Sequence, residues 1–134
     1  MKYFKPLFIF ILGCLILLFS ESFRQLFVYN LIIQLLLFAL VVCWPIWRTG
    51  RLAYVDIGWP WGLVCIGIVT LLFSEGYQWR VVFVGGVYIF IGLRMGIGAI
   101  QLWRKGYMQQ DFPRYQYQQR RWERAGKTNV HLAM

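Results

Sequence analysis

The sequence predicts an all-α fold: a polytopic membrane protein with four transmembrane helices and a cytosolic, amphipathic, basic segment. Its 134 residues are 60% hydrophobic and only 14% charged. The apolar residues come in long runs without alternation, which indicates membrane-spanning helices rather than a soluble globule. The net charge is +9, and seven of the fourteen Lys and Arg residues lie from Arg104 onward. A basic segment beside a membrane favours anionic lipid headgroups or an anionic ligand, and nothing in the sequence indicates a nucleic-acid-binding fold.

Four apolar segments mark the predicted spans, at about residues 4–19, 26–47, 52–73 and 81–103. The first is short for a span of about 20 residues. Because it also resembles a secretory signal, an uncleaved first helix and a cleaved leader within residues 1–22 are both open, and we prefer the helix. The second span contains Asn30 and Gln34, one turn apart, which we expect to bond to each other or to a neighbouring helix.

The third span is irregular near its start, where Asp56 is followed by two glycines, two tryptophans and Pro60. Pro60 has no N–H to donate to the carbonyl of Asp56, so we expect a kinked, broken helix with a carboxylate at the break. Irregular backbone within a membrane is tolerated where it lines a cavity. The pattern therefore predicts a site wall at Asp56, and an aspartate that caps the helix near the interface is the alternative.

The fourth span carries an arginine, Arg94, among apolar residues. A charge within a span costs roughly 2.5–3.5 kcal/mol on insertion scales, so it usually has a partner and a function. Helical spacing predicts a polar stripe on one face, formed by Arg94, Gly98, Gln101 and Lys105. Small residues on the opposite face predict close approach of another helix there, at Gly92, Gly96 and Ala99. Extension of the Arg94 side chain toward the headgroups is the alternative to a functional role.

The basic loops predict an orientation. Lys and Arg are more frequent before the first span, at Arg48 and Arg51, and in the tail than in the intervening loops. The positive-inside rule then places the amino terminus, the loop of residues 48–51 and the tail in the cytosol, in an inner or plasma membrane. Asp56 and Arg94 would lie in the cytosolic halves of antiparallel helices, and we expect them to interact directly or through one water.

The tail, residues 104–134, contains a predicted helix of about thirteen residues. Pro113 suits its first turn and Gly126 its end. One side of this helix combines aromatic and amide side chains: Tyr115, Gln118, Gln119 and Trp122. Arginines surround that side, which favours a helix on the membrane surface, and a solvated, partly disordered tail is the alternative.

Patterns of catalytic residues are missing from the sequence. It has no serine–histidine–aspartate or cysteine–histidine arrangement, no paired catalytic carboxylates and no phosphate loop, so the catalytic residues are unknown. Cys14, Cys43 and Cys65 have no pairing or metal spacing and are expected to pack as small apolar residues. His131 has no partner for a metal site, and no metal is predicted.

Two stretches suggest a family. The segment Tyr54-Val55-Asp56-Ile57-Gly58-Trp59, with Gly62, resembles the VDxxWG element of the DUF1295 membrane proteins, which are grouped with the steroid 5-alpha-reductases. The segment Gly92-Leu93-Arg94 resembles the GLR…R…DxRY element of the same proteins, since Arg104 and Asp111-Phe112-Pro113-Arg114-Tyr115 follow it. The resemblance covers roughly residues 54–124.

The resemblance implies an all-helical membrane reductase that binds NADPH from the cytosolic side and reduces a carbon–carbon double bond of a lipid-like substrate. It implies that Asp56, Trp59 and Arg94 line the cavity, and Gln101 on the polar stripe is expected beside them. It further implies a cofactor-binding set composed of Arg94, Arg104, Asp111, Arg114 and Tyr115. Basic residues of this kind suit the phosphates of NADPH.

The resemblance also implies that more chain is needed. The family continues with further spans and an RHPxYxGE-like motif, so we expect this sequence to be an amino-terminal portion, inactive alone, that leads into a missing span or works with a carboxy-terminal partner chain. Two other functions stay open. One is a small non-catalytic membrane protein that packs against partner helices, and the other is part of a membrane methyltransferase that binds S-adenosylmethionine.

Overall fold

The apolar runs fold into long helices, because a backbone in lipid must satisfy its own hydrogen bonds. The computed structural model describes residues 4–126, and it is helical without strands over that range. The helices are α1 (Phe4–Phe19), α2 (Glu21–Leu37), α3 (Trp44–Thr49), α4 (Val55–Phe73), α5 (Gln78–Arg104) and α6 (Pro113–Arg124). A π-helical stretch, Phe38–Cys43, joins α2 to α3, and short 3-10 turns precede α4 at Leu52–Tyr54 and α6 at Tyr107–Gln109.

Three of the predicted spans are long and apolar enough to cross a membrane: Phe23–Thr49, Leu52–Phe73 and Gln78–Arg104. The first predicted span is helical, but its apolar part, Phe8–Phe19, is shorter than the other three. The all-helical membrane fold is therefore confirmed with three candidate spans. A fourth span stays a prediction, and the predicted start of a further span after the tail, with His131, lies outside the described residues.

Close packing of α4 on α5 dominates the bundle, and the predicted small-residue face makes it possible. Gly92, Gly96 and Ala99 are all buried. A methyl group added at Gly92 would lie 2.7 Å from the carbonyl oxygen of Pro60 and 2.9 Å from the backbone nitrogen of Val64. Because both of these atoms belong to backbone, glycine is what allows the two helices to approach this closely.

The second span joins α4 through a polar contact. The Gln34 side chain donates a hydrogen bond of 2.9 Å to the carbonyl of Gly62. Its other amide atom lies 2.8 Å from the position that a Cβ of Gly62 would occupy, so the missing side chain makes room for the glutamine. This confirms the expected bond from Gln34 to a neighbouring helix, whereas Asn30 instead donates to Leu26, one turn earlier in its own helix.

The predicted break at Pro60 was wrong. Helix α4 continues through Pro60 from Val55 to Phe73, so the loss of the one backbone hydrogen bond from residue 60 to the carbonyl of Asp56 does not interrupt the helix. The irregular stretch lies in the preceding span instead, where residues 38–43 widen into a π-helix just before Pro45. The missing N–H and the ring of Pro45 disturb the preceding turn, and an extra residue in that turn is one way to absorb the disturbance.

The tail folds back onto one end of the bundle. Gly106 has a positive φ of 78°, which turns the chain after α5. Helix α6 then begins at Pro113 and ends before Gly126, as predicted. Its aromatic side packs inward: Tyr115 and Trp122 contact the buried cluster of Val42, Ile46 and Leu52. The tail and the loop of residues 48–51 therefore lie at the same end of the bundle.

Candidate functional site

A pocket of about 650 Å³ lies where the tail meets α4 and α5. A volume of this size lies within the range of small-molecule sites. Its lining comes from three segments: Asp56 and Pro60 of α4; Arg94, Met95, Gly98, Ala99 and Leu102 of α5; and Met108, Phe112, Pro113 and Arg114 of the tail. Most of this lining is apolar, and three charged side chains stand within it. Two of the three are arginines, so the pocket has a net positive charge.

Asp56 is the polar centre of the pocket. Its Oδ1 atom forms an ion pair with Arg114 and accepts a hydrogen bond of 3.0 Å from the Tyr115 hydroxyl. Its Oδ2 atom is buried and has no hydrogen-bond partner within residues 4–126. The Asp56 side chain is 27% exposed and that of Arg114 is 63% exposed. Arg114 and Tyr115 therefore share one carboxylate oxygen, Oδ1, and the other is enclosed without a donor from the described residues.

The position of Asp56 follows from its place in α4. It is the second residue of that helix, in the first turn, where a carboxylate is favoured by the helix dipole. The alternative interpretation from the sequence, an aspartate that caps the helix near the interface, is wrong in its capping part: within residues 4–126 the Asp56 carboxylate bonds only to the side chains of Arg114 and Tyr115 and to no backbone N–H of α4. The position also serves the pocket, since the tail supplies the partners of Asp56 from outside the helix.

The two tail partners keep their protons. The hydrogen bond to Asp56 raises the pKa of the Arg114 guanidinium further above its usual range. Burial raises the pKa of the Tyr115 phenol, and its hydrogen bond to the Asp56 carboxylate raises it again. At neutral pH Arg114 is charged and Tyr115 is a neutral donor. The Arg114 guanidinium carbon also lies 4.7 Å from the centre of the Tyr115 ring, a cation–π distance.

A second contact anchors the tail beside the first. The Oδ1 atom of Asp111 accepts a hydrogen bond of 3.0 Å from the backbone N–H of Ala53. Ala53 lies in the 3-10 turn before α4, and the first N–H groups of a helix have no partner within it. The other carboxylate oxygen accepts a bond of 3.1 Å from Gln119. Both oxygens of Asp111 are thus engaged inside the protein, where they hold the tail to the start of α4.

Of the two forms of contact expected between Asp56 and Arg94, the direct ion pair was wrong, and a contact through one water stays a prediction. Asp56 pairs with Arg114, and within residues 4–126 Arg94 forms no ion pair. The reason is the tail, which places Arg114 directly against the carboxylate. Arg94 nevertheless lines the same pocket, from the α5 side, with an exposed side chain. Three of the charged residues predicted from the sequence are therefore brought together.

The remaining predicted residues lie outside the pocket lining. Trp59 is 62% exposed and points away from the buried side of α4. Gln101 and Arg104 are exposed on α5. Tyr115 contributes through its bond to Asp56 rather than as a wall of the pocket.

Sequence reasoning missed the apolar wall that the tail supplies. Met108 is 3% exposed and packs with Ala53 and Ala99, and Phe112 contacts the same cluster. In the sequence, Met108 and Phe112 are two apolar residues four positions apart in an otherwise polar segment. This spacing could have predicted that the tail folds back onto the bundle. Among the described residues no three His, Cys, Asp or Glu side chains gather as metal ligands.

Comparison with known proteins gives no relative for this arrangement: no family model, no curated protein and no solved structure matches the chain.

Proposed function

We propose that the chain is the amino-terminal part of a membrane-embedded, NADPH-dependent reductase that acts on a carbon–carbon double bond of a lipid-like substrate. The observation that carries this proposal is the meeting of two sequence elements at one pocket. Asp56, in the first element, contacts Arg114 and Tyr115 at the end of the second element. These two residues lie 58 and 59 positions further along the chain. Both elements resemble elements of the DUF1295 and steroid 5-alpha-reductase proteins, and contact between them is what a shared site requires.

The chemistry of the pocket supports the same proposal. Its apolar walls at Met95, Leu102 and Phe112 suit a lipid-like substrate or a nicotinamide ring. Arg94 and Arg114 suit an anionic cofactor, because guanidinium groups bind phosphates with paired hydrogen bonds. The cofactor would supply the hydride, and these residues would bind and orient it.

The pocket is open on the α5 side, where Arg94, Met95 and Leu102 are exposed. We propose that further helices, in this chain or in a partner chain, cover this side and complete the cofactor site. Binding of NADPH by this part alone would then be weak and sensitive to salt, since partly exposed charges are screened.

The proposed orientation puts the pocket on the cytosolic side. It rests on the basic residues at Arg48 and Arg51 and in the tail, which share one end of the bundle. Single cysteines at Thr49 and Gly76, in a background without the native cysteines, test it with an impermeant maleimide on intact cells. Labelling of Gly76 alone is expected, and labelling of Thr49 alone would reverse the orientation.

The functional test is a titration of the purified protein with NADPH, followed by nucleotide fluorescence at low and high salt. Arg94→Gln should weaken binding several-fold, because it removes a guanidinium group from the lining of the pocket. Within residues 4–126 Arg94 forms no ion pair, so the change should leave the fold unaltered. Arg80→Gln, an exposed arginine at the opposite end of the bundle, is the matched control. Binding of S-adenosylmethionine in place of NADPH would favour the methyltransferase alternative. Binding of neither would favour a non-catalytic membrane protein.

A further inference from the structure

Helix α6 has a second face, opposite to the one that packs on the bundle. Its inward side is half-buried at Tyr115, Gln118, Gln119 and Trp122. At roughly 3.6 residues per turn, Tyr117, Arg120 and Arg124 point the other way. All three are exposed, and with Arg121 they line a shallow groove of about 310 Å³. We call these four residues the basic stripe.

The basic stripe carries three positive charges that no acidic side chain of the described residues pairs with. Glu123 is the only acidic residue of α6, and it does not line the groove. No ion pair involves Arg120, Arg121 or Arg124 within residues 4–126. Like charges on neighbouring helical positions repel, so a bound anion would stabilise this arrangement. Arg114, by contrast, is already held by Asp56 and belongs to the pocket.

The depth of α6 is set by its anchors. Asp111 bonds to Ala53 and Arg114 pairs with Asp56, both at the start of the third span. Exposed tryptophans surround the same end of the bundle: Trp47, Trp59 and Trp103 are 80%, 62% and 53% exposed. Exposed tryptophans at the ends of spans mark the headgroup layer of a bilayer. The basic stripe therefore lies at the depth of the headgroups.

We infer that the basic stripe binds the phosphate groups of anionic lipids in the surrounding leaflet. Guanidinium groups suit phosphate oxygens, and an exposed tyrosine at this depth suits the interface. This site is separate from the Asp56 pocket and does not depend on the reductase proposal. It assigns α6 two faces with different partners, one for the bundle and one for lipid.

The experiment uses the full chain in a mild, uncharged detergent, with the native cysteines replaced and an environment-sensitive dye on Ala125→Cys. Ala125 is exposed and follows Arg124 directly. Short-chain phosphatidylglycerol should give a saturable change in dye fluorescence. Short-chain phosphatidylcholine and inorganic phosphate should give little change at equal concentration, because a lipid headgroup at this depth is recognised together with its glycerol and chains.

The double variant Arg120→Gln/Arg124→Gln should weaken phosphatidylglycerol binding by about tenfold, since each basic residue adds to the attraction of an anionic surface. The matched control Arg24→Gln/Arg80→Gln removes the same charge from exposed arginines at the other end of the bundle, and it should bind as the parent does. Circular dichroism checks that helix content is unchanged in both. An equal loss in both variants would show a general charge effect and overturn the site. If inorganic phosphate bound as tightly as phosphatidylglycerol, the ligand of the basic stripe would be a soluble anion, and the lipid proposal would be overturned.

Discussion

The Asp111 carboxylate accepts a hydrogen bond from the backbone N–H of Ala53. Three residues further along each of these two segments, Arg114 forms an ion pair with Asp56. Each contact joins positions that are 58 residues apart in the sequence. The two segments therefore meet in register, with one contact to backbone and one between side chains. The backbone contact satisfies a donor that the start of the helix leaves free, and it brings Arg114 to the pocket.

Asp111→Ala should loosen the tail from the bundle. Loss of a capping carboxylate costs about 1 kcal/mol, which corresponds to about fivefold more of the open form. Limited trypsin digestion should then cleave α6 about fivefold faster than in the parent protein. Glu123→Ala is the control, because Glu123 is exposed and makes no side-chain hydrogen bond within residues 4–126. Equal cleavage rates in the two variants would show that Asp111 does not anchor the tail.

Asp56→Asn and Arg114→Gln should each lower the free energy of unfolding, and the double variant should lose less than the sum. The coupling energy should be about 1 kcal/mol, since Arg114 is 63% exposed and solvent screens the pair. Denaturation in mixed micelles measures it. Asp56→Asn combined with Arg94→Gln serves as the comparison and should be additive within about 0.5 kcal/mol. A larger coupling energy between Asp56 and Arg94 than between Asp56 and Arg114 would show that Asp56 pairs with Arg94, as the sequence predicted.

Tyr115→Phe should reduce stability in a way that depends on pH. The folded protein raises the Tyr115 pKa, so the stabilising contribution is complete below the unfolded value of about 10 and is lost as pH rises through the folded value. The deficit of the variant should be about 1 kcal/mol from pH 7 to 9 and should shrink above pH 10. Thermal unfolding across this range measures it. Tyr117→Phe, at an exposed residue, should show no deficit, and a constant Tyr115→Phe deficit through pH 11 would contradict the hydrogen bond.

Gly92→Ala should destabilise the pair of α4 and α5. The added methyl group would press on the backbone of Pro60 and Val64, and overpacking of this kind typically costs about 1–3 kcal/mol. Gly86→Ala lies on the same helix with nothing within 4 Å of the new methyl group, so its stability should be unchanged or slightly higher. Thermal unfolding of both variants in the same detergent is the measurement. Similar losses of thermal stability in the two variants would show that the effect comes from helix flexibility rather than from the contact between α4 and α5.

Local features of this protein followed from the sequence because they depend on composition and spacing. Long apolar runs determined the helices of the bundle, and helical spacing determined that Gly92, Gly96 and Ala99 share a buried face. Pro113 and Gly126 determined the bounds of α6, since their backbone preferences act within one turn. The sequence also selected Asp56 and Arg94, because charges among apolar residues are costly wherever they lie. Arg114 was indicated only by the resemblance to the DUF1295 proteins.

Only the tertiary structure decided which of these charges meet. Arg94 and Arg114 were both available to Asp56, and the choice depended on how the tail returns to the bundle. The tail returns because Met108, Phe112, Tyr115 and Trp122 bury apolar surface against the helix ends and Asp111 binds the free N–H of Ala53. Those contacts join residues far apart in the chain, so the local pattern around each residue does not specify its partner. The sequence by itself determined the helices and the charged residues, whereas the packing of the tail determined the ion pair and the pocket around it.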